Sequence, residues 1–135
     1  YREDSETALE ALSAETQDPV TSLRRYPDMF RKALENDNRM CLVGFMSAEY
    51  DDLPDTVKNE IEAFTDVHVA WLSQQLSAAS LAATGESVPR ARAIFAAIAG
   101  AQLMARSRSD ISFYDCVIDS YRLSGLLPSP AAPPS

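Results

Sequence analysis

The chain holds one histidine, His68, three or four residues from Phe64, Trp71 and Leu72. A nucleophilic triad could use only this imidazole, and no Cys or second His stands near it to complete a metal site. Two readings stay open: a hydrogen-bonded core histidine, or a polar contact in a ligand pocket. Cys41 and Cys116 fall in separate predicted helices, each flanked by apolar residues. They read as reduced, buried thiols. A redox sensor is the sharper alternative, but only Arg39 is near Cys41 and nothing basic adjoins Cys116. The acidic pairs Asp51-Asp52 and Glu60/Glu62 do not put both carboxylates on one helix face and read as solvated surface. Arg24-Arg25 and Arg106-x-Arg108 are too short for a DNA-binding patch. No acid, base and nucleophile converge, so no catalytic residue, cofactor or metal is expected. The remaining chemistry is recognition. Phe45, Met46, Phe64 and Trp71 can wall an apolar cavity, with Tyr50 and His68 as polar contacts; an ordinary filled core is the alternative. No Lys or Arg falls on these inward faces, which favours a small neutral or cationic, hydrophobic or aromatic effector.

Helices must position these residues. Ala, Leu, Glu, Gln and Arg dominate the periodic stretches, and Gly occurs four times, a composition that favours helix. The spacing predicts a first helix over 3–16 with a stripe of Ala8, Leu9 and Leu12. Asp18-Pro19 opens a second, as N-cap and first-turn proline, carrying Val20, Leu23, Phe30 and Leu34. Pro27 inside it predicts a kink or break. A third helix is expected over 39–50, with Leu42, Phe45, Met46 and Glu49 on one face and Gly44 allowing close approach. Pro54 opens a long helix to about residue 80, through Val57, Ile61, Phe64, His68, Trp71 or Leu72, and Gln75. After a loop at 83–86, Ser87 is the expected cap of a helix over 91–104. That helix is apolar nearly all round and should be buried on more than one side. Asp110 or Ser109 caps the last helix, 111–124, and Gly125 ends it. Residues 128–135, rich in Pro, Ala and Ser, read as a disordered tail after a single domain over 1–127.

The 135 residues fit one core, and 46% of them are apolar. A formal charge of -8 repels phosphate, so DNA binding by this segment is not expected. No signal peptide or membrane span is visible; the longest mostly apolar run, Ala91 to Ala105, is too short and contains Arg92 and Gln102.

Arg39-Met40-Cys41-Leu42-Val43-Gly44, followed by Leu53-Pro54-Asp55-Thr56-Val57, resembles the ligand-binding half of TetR-family transcriptional repressors. Trp71-Leu72, Ala97 to Leu103, Phe113-Tyr114-Asp115 and Gly125-Leu126-Leu127-Pro128 extend the resemblance, which runs from about Asp18 to Leu127. It implies an all-α, antiparallel bundle of about six helices, with the ligand held by the first four. It implies a cytoplasmic homodimer paired through the last two helices, and DNA read through an N-terminal helix-turn-helix outside this sequence, which starts at Tyr1 without Met. The bottom-up pattern agrees on pairing, because two adjacent apolar helices expose more than one small domain covers. The expected contacts are Phe95, Ala96, Ala99, Leu103, Phe113, Val117 and Tyr121; a central core helix within a monomer is the alternative. The expected function is release of DNA on effector binding. A stand-alone helical dimer acting as a binding or scaffold module is the alternative.

Overall fold

The computed structural model describes residues 2–36, 50–83 and 85–129. These form five α-helices: α1 (Arg2–Thr16), α2 (Pro19–Glu35), α3 (Asp55–Ala78), α4 (Ser87–Arg108) and α5 (Ile111–Leu123), with a single 3-10 turn at Tyr50–Asp52. There is no strand among the described residues. The expected helix over 39–50, including Phe45, Met46, Cys41 and Gly44, lies outside the described residues up to Tyr50.

α2 sits at the centre and touches all four other helices, while α3 packs along α4 and α4 along α5. Its start follows local chemistry. Asp18 is extended and accepts from the Thr21 amide and hydroxyl, and Pro19 opens the helix. The expected break at Pro27 does not occur; α2 runs through it unbroken. Pro27 is buried, and its carbonyl accepts a 2.5 Å hydrogen bond from Tyr114 Oη of α5. A lost backbone donor is outweighed here by packing on both flanks.

The start of α4 also differs from expectation. Glu86, not Ser87, is the N-cap residue, and it makes no side-chain cap. Ser87 is the first helical residue, and its hydroxyl meets Ser77 Oγ at 2.7 Å, tying the end of α3 to the start of α4. The last helix begins as expected, with Asp110 accepting from the Ser112 amide. It is followed by Gly125 at φ +85°, a conformation that costs a residue with a Cβ.

Beside the Tyr114–Pro27 bond, three further polar ties fasten α2 to the last two helices. Gln102, fully buried, donates to the Phe30 carbonyl at 2.9 Å. Arg31 clasps Asp115 with two hydrogen bonds of 2.8 and 3.0 Å and also pairs with Glu35. The clasp holds the Asp115 carboxyl below its usual range and the guanidinium above its own. Arg122 donates to the Arg24 carbonyl at 3.3 Å. Cys116 is a free, exposed thiol, not the buried one expected; it falls on the side of α5 away from Tyr114 and Ile118, the two buried residues of that helix. Leu127 is buried, and Arg24 reaches the Ser129 carbonyl at 2.6 Å.

Candidate functional site

Helical spacing assembles an aromatic cluster across three helices. α2 contributes Tyr26 and Phe30, one turn apart; α3 contributes Phe64, His68 and Trp71; α4 contributes Phe95. The His68 ring lies 4.3 Å from Phe64, 5.4 Å from Phe95, 5.7 Å from Tyr26 and 6.0 Å from Phe30, centre to centre. Tyr26 stacks on Trp71 at 5.5 Å. Tilted and edge-on pairs of this kind add about 0.5–1.5 kcal/mol each beyond buried area.

His68 is 2% exposed. Its Nδ1 lies 2.6 Å from Tyr26 Oη, while its buried Nε2 has no hydrogen-bond partner among the described residues. Burial pushes the imidazole pKa down from 6.5 to about 4, because a low-polarity surrounding penalises the charged form. The ring is therefore neutral near pH 7, with one nitrogen held by the tyrosine and the other buried without a hydrogen-bond partner among the described residues.

A cavity of about 190 Å³ adjoins it, lined by Asp4, Ser5 and Ala8 of α1, Met29 and Phe30 of α2, and Phe64 and His68 of α3. Of the residues expected to bind a ligand, Phe64 and His68 meet here. Phe45 and Met46 lie outside the described residues. Tyr50 opens the 3-10 turn. Trp71 is on a different surface: it lines a separate depression with Glu6, Leu9, Glu10, Val67, Ala70 and Gln74, and its indole N–H donates to Ser13 Oγ at 2.7 Å. The sequence reading missed the α1 wall, Met29 and Tyr26. The signal for α1 was present: Leu9 and Leu12 of the expected stripe are buried, with Ser5 in place of the exposed Ala8.

The residues expected at a dimer contact separate into two groups. Phe95 is buried in the core of its own chain, packed on Phe30, Phe64 and His68, on the same helix face as Ile94, Ile98 and Gln102. Ala96 and Leu103 are exposed, and Ala99, Phe113, Val117 and Tyr121 are half-buried. Met104, at 52% exposure, extends this strip. Tyr121 Oη donates to the Ala97 carbonyl at 3.2 Å, and the Arg108 guanidinium sits 4.9 Å over the Phe113 ring.

A TetR transcriptional regulator from Legionella pneumophila has a solved structure that superposes with a TM-score of 0.81, at 20% sequence identity, over 91% of this chain and 67% of that one. The fold is TetR-like. No model of a known protein family matches the chain, and no curated protein sequence does either. Within this TetR-like fold the described residues hold no group of three His, Cys, Asp or Glu side chains able to bind a metal. No described helix is long and apolar enough to cross a membrane.

Proposed function

We propose that this chain is the effector-binding and dimerisation domain of a TetR-like transcriptional repressor. It works without catalysis and in the cytoplasm, and it reads DNA through a separate domain. The carrying observation is that α4 is apolar on two sides. Phe95 on its inner side touches His68 and Phe64, which line the cavity. On its outer side Ala96, Leu103 and Met104 are exposed, beside the half-buried Ala99. Gly100 on that strip has nothing within 4 Å of where a Cβ would stand among the described residues, so their packing does not call for a glycine there. A second copy laid across α4 and α5 gives that strip a partner.

A ligand that fits the cavity in one arrangement of α3 against α4 shifts the population toward that arrangement. Because the same helix bears the outer strip, the shift reaches the partner, and with it the separation of two DNA-reading heads. Half-site spacing on DNA is fixed by the helical repeat, so a change in head separation costs affinity. The charge of -8 keeps this domain itself off phosphate.

Native mass spectrometry of the chain purified from its own host tests the reading, with a dimer carrying a retained small molecule as the expected result. A bare monomer at micromolar concentration overturns it.

A further inference from the structure

The cavity beside His68 combines three features. Beside Asp4, Ser5 and Ala8, its walls include Met29, Phe30 and Phe64, groups that favour the face or edge of a ring. Its volume, about 190 Å³, has room for a single-ring molecule, since an engineered apolar cavity of about 150 Å³ in another protein takes benzene. The one buried side-chain atom left without a hydrogen-bond partner among the described residues is His68 Nε2, and His68 is one of the cavity's lining residues.

The neighbour on the other nitrogen decides what Nε2 can offer. A phenol is a better donor than acceptor, and a 2.6 Å contact between Tyr26 Oη and Nδ1 suits O–H donating to a bare ring nitrogen. A neutral imidazole then carries its one proton on Nε2. Protonation of both nitrogens is opposed by burial, which holds the pKa near 4. So the unpartnered nitrogen is a donor, and it asks for an acceptor. A carboxylate could accept as well, but it would have to shed water in an apolar cleft with Asp4 as a lining residue.

We propose that His68 Nε2–H is the recognition donor of this cavity and that the ligand is a neutral, single-ring molecule bearing one carbonyl acceptor, with Tyr26 as the positioning residue that keeps the proton on Nε2. This rests on the reading of the domain as an effector-binding one and names the ligand class for that site.

Three probes test it by titration into the chain: acetophenone, α-methylstyrene, which has the same shape with a methylene in place of the oxygen, and benzoate. Acetophenone should bind about tenfold more tightly than α-methylstyrene, the ratio one buried hydrogen bond supplies, and benzoate should bind more weakly than acetophenone. His68 is the only histidine, so its two ring nitrogens are assigned directly in a proton–nitrogen spectrum. The free chain should show the proton on Nε2, and acetophenone should shift that resonance while α-methylstyrene leaves it nearly in place. In Tyr26→Phe the preference for the Nε2 proton should weaken and the tenfold ratio shrink; in His68→Leu the ratio should fall to about one. The spectra of the unsubstituted chain decide the matter even if a variant fails to fold. A proton resident on Nδ1, or equal affinity for acetophenone and α-methylstyrene with an unmoved Nε2, overturns the assignment to His68 while leaving the cavity as a ligand site. Failure of every probe to shift the Met29 and Phe64 amides overturns the ligand site as well.

Discussion

α4 has two apolar sides with opposite fates. On the inner side Ile94, Phe95, Ile98 and Gln102 are buried against α2 and α3; each side chain has a neighbour, and even the polar Gln102 finds the Phe30 carbonyl. On the outer side Leu103 and Met104 stay about half exposed, and a Cβ added at Gly100 would meet nothing within 4 Å among the described residues. Hydrophobicity alone does not separate the two sides. What separates them is shape: the inner side carries large branched and aromatic groups that fill a core, while the outer carries mostly small residues that let a second helix come close. The first makes the fold; the second needs another molecule.

The comparison breaks most sharply by substituting one residue on each side. Phe95→Ala opens a hole beside His68 and should cost about 3–5 kcal/mol of folding stability, read from urea denaturation, with little direct effect on pairing. Ala99→Glu should leave the monomer folded and weaken the dimer by roughly a hundredfold or more, because a charge without a counter-ion is buried at the contact. Sedimentation at a series of concentrations measures the second. A dimer that survives Ala99→Glu unchanged removes the outer side from the interface.

A smaller effect comes from pH. His68 titrates near 4 in the folded chain and near 6.5 when free, so the unfolded chain takes up the proton first. Stability due to neutral His68 is complete above about pH 6.5 and is lost as pH falls toward 4, by roughly 3 kcal/mol in all. Urea midpoints at pH 7 and 4.5 should diverge less in His68→Leu than in the unsubstituted chain, the difference isolating His68 from the carboxylates that titrate in the same range. Equal slopes would show that the imidazole is not buried in its neutral form.

The smallest effect is at the polar tie between α2 and α5. Arg31 and Asp115 side chains are 35% and 45% exposed, so solvent screens the pair, and Arg31→Gln should cost about 1 kcal/mol or less despite the two-pronged geometry. A thermal melt in low and high salt reads it; the loss should shrink at high salt. A loss of several kcal/mol would mean that this tie, not the buried contact of Tyr114 with Pro27, holds α2 on the last helix.

Much of the helical layout is legible in the chain because its signals are local. Asp18-Pro19, Asp110 and Gly125 mark boundaries through their own hydrogen bonds or backbone angles, and the observed boundaries fall at them. The run Ile61, Phe64, His68, Leu72 keeps helical spacing and is buried as that spacing predicts. Pro27 misled, because its cost is local while the packing on α5 that offsets it comes from residues some ninety positions along. Ser87 misled similarly: a serine that suits a cap instead bonds Ser77 across the α3–α4 turn.

Composition and periodicity by themselves determined an all-helical chain with a strongly acidic balance of charge. Only the tertiary structure decided which apolar residues face one another. It placed Trp71 against α1 and away from the cavity, brought Tyr26 to His68 across 42 positions of sequence, and turned Phe95 inward. The reason is that a helix fixes which residues share a face, but not what that face meets. The partner of each face is set by how the helices fill space together, and that is a property of the whole chain.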